Sequence, residues 1–226
     1  MTATERELIE FLKTVDTATV SNAIELLKVR ADGEGFASLE LKCLFPEFGP
    51  MCGYAVTTQV ETVTEGSPEM EEGFVELFEA VERSPNPAVV VVQEVGGDRD
   101  RSAHAGEMMA SIFTRLGAIG LVSDCGVRDI SAVRKLGFHY FARGAVASHA
   151  NFHIVRSGVP VHVAGVTVRT GDLLHGDENG LLTIPEEGRD LLPAMVEQVL
   201  SKERALLQFV RDSGFSASKL RGRLFH

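Results

Sequence analysis

Two short segments carry residues that could bind an anion and a divalent cation. Gly106 and Glu107 precede apolar residues with helical spacing, and Arg128 and Asp129 precede a second short helical run. N–H groups at the start of a helix lack intrahelical partners, so they can bind a carboxylate or a phosphate. A carboxylate beside a guanidinium stays ionised and suits Mg²⁺ or Mn²⁺, and the arginine presents a planar fork to a substrate carboxylate or keto oxygen. These residue types therefore indicate an anion and metal site.

The same residues also have structural interpretations. Glu107 is the kind of acidic first-turn residue that the helix dipole favours. Asp129 is a preferred helix cap, which would leave Arg128 as an ordinary surface residue. Sequence spacing alone leaves both interpretations open.

Buried strands must position the two segments. Residues 88–92 are apolar and bounded by proline and glycines, and residues 121–123 are a second apolar run. Each is followed by a turn and a helical pattern, and this order is typical of an α/β fold. Ligands in open α/β sheets bind beyond the carboxyl ends of the strands, so neighbouring strands would open both turns onto one crevice.

The second half of the chain changes character. After residue 151 the pattern differs: an alternating run at residues 160–168 and the glycine turns that follow predict strands, and a long final helix is expected after Pro185. The length of 226 residues favours one domain over residues 1–226. The predicted fold is α/β, with a central mixed sheet, a β-rich second half and a long C-terminal helix.

Composition excludes several classes of function. The net charge of −10 argues against binding to nucleic acid and to anionic membrane surfaces. Three cysteines without a CxxC pair fit a reducing compartment, and no apolar run approaches the roughly 20 residues of a membrane helix. The N-terminus lacks the features of a signal peptide, so a cytoplasmic location is expected.

The histidines offer weaker alternatives. His149 and His153 are four residues apart, as paired metal ligands on a helix are, but no HExxH surrounds them. His104 lies two residues before Gly106, and His104 or His149 could accept phosphate in a carrier domain. Nothing near either residue supports that role.

Several sequence blocks together resemble the 4-hydroxy-4-methyl-2-oxoglutarate aldolase family, which is related to RraA, the regulator of ribonuclease E activity. The resemblance covers most of the chain from about residue 15 to residue 185. The blocks are residues 17–23, 105–110, 117–129, 141–144 and 160–165, and Gly171-Asp172 followed by Asp177 and Gly180. The resemblance implies a layered αββα-type domain.

The resemblance also implies roles for individual residues. The loop that binds the substrate carboxylate is formed by Gly106, Glu107, Met108 and Met109. Arg128 contacts the keto oxygen, Asp129 binds Mg²⁺ or Mn²⁺, and Glu107 holds the water that acts as base. The implied activity is cleavage of a 4-hydroxy-2-oxo acid to pyruvate, with oxaloacetate decarboxylation as a side activity.

Family members are trimers or dimers of trimers, and a neighbouring C-terminal helix supplies an acidic residue to each site. The corresponding helix is expected over about residues 186–212, with Glu203 as the candidate and Glu197 as the alternative. Aldolases of the family can carry a lysine after the 141–144 block, whereas this chain has Phe152 and His153 there. The alternative function is that of a non-catalytic RraA-like regulator that binds a ribonuclease.

Overall fold

A mixed sheet forms the centre of the computed structural model, which describes residues 2–63 and 71–220. The strands are β1 (Lys42–Cys43), β2 (Met51–Val63), β3 (Ala88–Glu94), β4 (Ala118–Ser123), β5 (Gly126–Val127), β6 (His139–Ala142), β7 (Gly144–Ala145), β8 (Asn151–Ser157), β9 (Val161–Val163), β10 (Val166–Val168), β11 (Leu173–Asp177) and β12 (Gly180–Ile184). In the main sheet the order is β1-β6-β4-β3-β2-β11-β12, and β8 pairs with β2. Strands β2, β3, β4 and β6 run parallel to their neighbours in this series, and the remaining pairs are antiparallel.

The long strand β2 joins the two halves of this sheet. Its first residues pair with β11, its middle pairs with β3, and its last residues pair with β8. Strand β3 is almost entirely buried, as expected for a parallel strand covered on both faces. Two small sheets, β5 with β7 and β9 with β10, lie outside this arrangement.

The hairpin of β9 and β10 packs against one face of the main sheet, and helices cover the opposite face. The helices are α1 (Ala3–Leu12), α2 (Thr17–Leu27), α3 (Glu71–Arg83), α4 (Glu107–Arg115), α5 (Ile130–Leu136), α6 (Leu192–Arg211) and α7 (Ala217–Leu220). One apolar core lies between the sheet and α3, α4 and α5, and a second lies between the sheet and α1, α2 and α6. The predicted α/β architecture with a mixed sheet, a β-rich second half and a long C-terminal helix is confirmed.

Capping explains where the first helices begin. Thr2 and Glu5 form a reciprocal capping box at α1. The Asp16 carboxylate accepts the Thr19 N–H at 2.9 Å and caps α2.

Two elements differ from the sequence expectation. The alternating run at residues 160–168 is a hairpin, because Ala164 and Gly165 adopt positive φ angles of 46° and 84° and reverse the chain. Helix α6 begins at Leu192, seven residues after the expected start at Pro185. Pro193 sets this boundary, since proline lacks an N–H and is tolerated only in the first turn.

None of the helices in the described ranges is long and apolar enough to cross a membrane.

Candidate functional site

A cavity of about 460 Å³ opens beside the carboxyl ends of β3 and β4, which are parallel neighbours. It is lined by Phe74, Ala103, His104, Gly106, Glu107, Met108, Met109, Arg128, Asp129, His149, Ala150, Asn151 and Phe152. The start of α4, the residues before α5 and the start of β8 thus meet at one place. Both segments that the sequence singled out contribute to this pocket.

Asp129 occupies the cap position of α5 without acting as a side-chain cap. Its backbone adopts the left-handed conformation, with φ of 57°, and its side chain makes no capping hydrogen bond. The carboxylate Oδ2 instead accepts the Glu107 N–H at 2.9 Å and lies 3.8 Å from the Arg128 Nε. The side chain therefore links the two segments across the pocket, which the capping interpretation does not explain.

Gly106 makes this link possible. A Cβ at this position would collide with the Asp129 Oδ2 and approach the Arg128 Nε to 3.0 Å. Gly106 is also the N-cap of α4, so the Glu107, Met108 and Met109 amides lie in the first turn, where no intrahelical carbonyl is available. The glycine brings the helix start against the carboxylate and the guanidinium.

The polar part of the pocket is open to solvent. The side chains of Arg128 and Asp129 are 38% and 43% exposed, and Glu107 is exposed as well. Met108 is 78% exposed, which is unusual for a large apolar residue. A small polar substrate can reach all four residues.

Another part of the pocket is apolar and rests on the protein core. Phe74, Met109 and Phe152 are partly buried and pack against the core under α3 and α4. The ring of Phe152 lies 5.8 Å from that of Phe74 and 5.4 Å from that of His104. Packing against the core and contacts between the rings hold the side chains of this wall in place.

Behind the pocket, a buried hydrogen-bond network joins the ends of β3 and β4. The Glu94 carboxylate accepts backbone N–H groups of Thr62, Gly96 and Gly97 at 2.8–3.0 Å. His104 contacts Glu94 through Nε2 at 3.3 Å and Ser123 Oγ through Nδ1 at 2.9 Å. The network holds the chain just before Gly106 against both strands.

Opposite pKa shifts distinguish the two buried carboxylates. Burial alone would raise the pKa of Glu94, but hydrogen bonds from His104, Thr62 and Gly96 outweigh it and hold that pKa well below its usual range. Burial raises the pKa of Asp124, and its contacts with the Glu94 N–H and the Arg99 guanidinium only partly offset this. Glu94 is therefore ionised at neutral pH.

Glu94, His104 and Cys125 bring potential metal-ligating atoms within 4.8 Å of one another. Burial, followed by the nearby Asp124 and Glu94, raises the pKa of the Cys125 thiol. Both ring nitrogens of His104 and both Glu94 oxygens already have partners. The donor set fits a structural network better than a metal centre.

The sequence did not indicate Glu94, Ser123 or Phe74 as parts of the site. One feature of the sequence could have identified Glu94, because this carboxylate residue follows a run of valines and stands just before Gly96. His153 lies on strand β8, and its Nε2 is 3.3 Å from the Glu61 carboxylate. Because this segment is a strand, the four-residue spacing does not place His149 and His153 on one face of a helix. Strand β8 itself was not predicted.

The two candidate acids of the C-terminal helix lie elsewhere in this chain. Glu203 is exposed on α6, and Glu197 is 3.6 Å from Arg204 on the same helix. Within the described residues, neither belongs to the pocket lining.

Comparisons with known proteins place this geometry in a family. Family models match residues 17–183 to "RraA-like: Aldolase/RraA". A protein of Halalkalibacterium halodurans named "Putative 4-hydroxy-4-methyl-2-oxoglutarate aldolase" is 30% identical over 187 residues, which cover 82% of this chain and 80% of that protein. A relative with the same name from Laribacter hongkongensis is 34% identical over 107 residues, or 45% of this chain and 64% of its own length.

Solved structures share the fold. An uncharacterized protein from Pseudomonas syringae pv. tomato superposes with a TM-score of 0.74 at 21% identity, covering 96% of this chain and 93% of the other. Streptomyces coelicolor RraAS2, described as an unusual member of the RNase ES inhibitor RraA protein family, gives a TM-score of 0.68 at 23% identity, covering 91% and 96%. Because the family match spans most of the sequence and these folds agree with it, the chain belongs to the RraA-like family.

Proposed function

We propose that the chain is a divalent-metal-dependent lyase that cleaves a 4-hydroxy-2-oxo acid to pyruvate and a carbonyl compound. Oxaloacetate decarboxylation is the expected side activity. The observation that carries the proposal is the convergence of Asp129, Arg128 and the start of α4 on one open pocket. Relatives named as aldolases support the same reaction class.

The oxygen donors of the pocket fit Mg²⁺ or Mn²⁺. These ions are commonly bound through one or two carboxylates together with water and substrate oxygens. Asp129 supplies the carboxylate that would hold the ion, and Glu107 stands beside it with its backbone fixed by the Asp129 Oδ2. When bound, the ion acts as a Lewis acid for the charge that develops on the substrate keto oxygen.

Arg128 and the helix start position the 2-oxo acid. The guanidinium places a fixed positive charge where the keto oxygen becomes negative. The Met108 and Met109 amides in the first turn of α4 favour the C1 carboxylate, since the Glu107 amide already donates to Asp129. A water held by Glu107 takes the proton of the C4 hydroxyl, the C3–C4 bond breaks, and its electrons form pyruvate enolate, which is then protonated at C3.

The competing function is binding to a ribonuclease without catalysis. The likeness to RraAS2 lies below 25% identity and shows the fold alone. Asp129, Arg128 and Glu107 present the groups that enolate chemistry needs, and this arrangement favours the enzyme.

The test is the isosteric variant Asp129→Asn. An asparagine can still accept the Glu107 N–H, so the fold should be kept while the metal-binding charge is lost. We expect pyruvate release from oxaloacetate with Mg²⁺ or Mn²⁺ to fall by at least about a hundredfold, as for removal of a group that stabilises developing charge. EDTA should abolish the metal-dependent rate of the unchanged protein.

Asp172→Asn is the matched control, because the Asp172 carboxylate also accepts a backbone N–H, that of Arg169, but lies outside the pocket. Its rate should equal that of the unchanged protein. Unchanged turnover in Asp129→Asn, or no metal-dependent pyruvate release at all, contradicts the proposal.

A further inference from the structure

The pocket proposed to hold the 2-oxo acid has one polar wall and one mainly apolar wall. The groups proposed to hold C1 and C2 lie on the polar side, at the start of α4 and at Arg128 and Asp129. The rest of the wall includes Phe74, Met109 and Phe152, whose other sides pack on the core. The part of a substrate beyond C4 therefore lies beside these apolar side chains and the adjoining His149, Ala150 and Asn151.

Positive charge is scarce in this pocket. Of its lining residues in the described ranges, Arg128 is the one with a guanidinium or ammonium group, and it lies 3.8 Å from Asp129. Residues 64–70, between β2 and α3, contain no lysine or arginine. The ring nitrogens of His104 contact Glu94 and Ser123, which leaves the imidazole of His149 as the other basic group.

We infer that the substrate tail beyond C4 is uncharged and apolar, and that Phe152 determines this specificity. The inference rests on the proposed function and names the substrate class of that site. Among the described residues of its own chain, a second carboxylate beside Phe152 would lose water without gaining a cation, and an unpaired buried charge is strongly unfavourable. An alkyl or aryl tail binds more favourably in the same place, because removing its apolar surface from water lowers the free energy.

Phe152 is well placed for this role. It lies in the first residues of β8, and contacts with Phe74 and His104 fix its ring from two sides. Since His104 is itself held by Glu94 and Ser123, the ring cannot move away easily to admit a hydrated group. The aromatic face is a preformed surface for the tail.

The decisive experiment compares two substrates that differ only in this tail. These are 4-hydroxy-2-oxoglutarate and 4-hydroxy-5-methyl-2-oxohexanoate, in which an isopropyl group replaces the distal carboxylate. Cleavage of C3–C4 converts the C4 hydroxyl to an aldehyde, glyoxylate or isobutyraldehyde, and the pyruvate enolate gains a proton at C3.

We expect kcat/KM to favour the isopropyl substrate by at least about tenfold, since an unpaired charge is rejected more strongly than a small change in apolar size. Phe152→Lys should reverse the preference, and Phe152→Leu should keep it. Val155→Lys is the matched control, because Val155 lies on the same strand, is 47% exposed and is outside the pocket lining. It should leave the preference unchanged.

Calorimetric binding provides a readout independent of turnover. The unchanged protein with Mn²⁺ should bind 5-methyl-2-oxohexanoate at least about tenfold more tightly than 2-oxoglutarate, and Phe152→Lys should invert this order. A preference for the dicarboxylate in both assays, or a Phe152→Lys variant with unchanged selectivity, overturns the inference.

Deuterium exchange of the pyruvate methyl group separates this failure from failure of the proposed function. Exchange requires only the C1–C3 part of the site. Exchange that persists alongside a dicarboxylate preference overturns the tail specificity alone, whereas loss of both exchange and cleavage overturns the proposed reaction.

Discussion

At the scale of single residues, Asp129 shows how one position can carry both a structural and a chemical role. It precedes α5 as a cap would, but its carboxylate turns to the Glu107 N–H and leaves the first turn of α5 without a side-chain cap. Aspartate tolerates the left-handed backbone better than most residues. That backbone directs the side chain across the pocket.

Gly106 provides a residue-scale prediction. A methyl group there would collide with the Asp129 Oδ2, so Gly106→Ala should displace the carboxylate and the start of α4. We expect kcat to fall by about a hundredfold, as for a displacement of about 1 Å at a reacting centre. The free energy of unfolding should fall by about 1–3 kcal/mol, as for overpacking.

The matched control is Gly33→Ala, because a Cβ at Gly33 would meet nothing within 4 Å. Kinetics and urea denaturation of both variants check the prediction. Full activity of Gly106→Ala would show that the close approach of helix and carboxylate is not required.

At the scale of secondary-structure elements, the network around Glu94 fixes the carboxyl ends of the strands that carry the site. Glu94 ends β3 and Ser123 ends β4, and His104 contacts both side chains. The loop between β3 and α4 is thereby tied down just before Gly106. A pocket whose backbone is fixed in this way undergoes little rearrangement during the reaction.

Glu94→Gln tests the network through its pH dependence. The folded pKa of Glu94 is lowered from 4.5, so its charge contributes stability above about pH 5 and loses that contribution as pH falls through and below 4.5. At pH 7 we expect the variant to lose about 2–4 kcal/mol of unfolding free energy, because charged hydrogen bonds within a buried site are removed. The deficit should shrink toward pH 3.5.

Urea denaturation at several pH values measures this deficit. Glu61→Gln is the matched control, because Glu61 is 46% exposed in its pair with His153, and exposed pairs contribute little. A Glu94→Gln deficit of the same size at every pH would contradict the argument.

At the scale of the whole molecule, the described residues leave the polar part of the site open to solvent. The second half of α6 carries exposed apolar residues, Leu207 at 52% and Val210 at 43%, and Glu203 precedes them. We propose from the family resemblance that a trimer, or a hexamer of two trimers, places Glu203 of one chain at the pocket of the next.

Mixing two inactive variants tests this arrangement. Asp129→Ala and Glu203→Ala should each be inactive alone, whereas co-refolded 1:1 trimers should regain about a quarter of full activity, because one interface in four combines two unchanged residues. The same experiment with Glu197→Ala identifies the acid if Glu203 is not the one. Full activity of both Glu203→Ala and Glu197→Ala alone, or no recovery on mixing with either, would contradict the shared site.

The sequence by itself determined the fold class and the two segments of the site. Buried apolar runs between glycine and proline boundaries identify the parallel strands, and the residues after such strands are at the sheet edge whatever the packing details. Family blocks added the expected roles of Arg128 and Asp129. These features are local in sequence, so a single chain displays them.

Tertiary structure decided what the same residues do. Only folding shows that the Asp129 carboxylate reaches the Glu107 N–H, 22 residues away, instead of capping its own helix. Likewise, Phe152 comes to face Phe74 and His104 because β8 pairs with the end of the long strand β2. Such contacts depend on strand register and side-chain packing across the sheet, which no local pattern specifies.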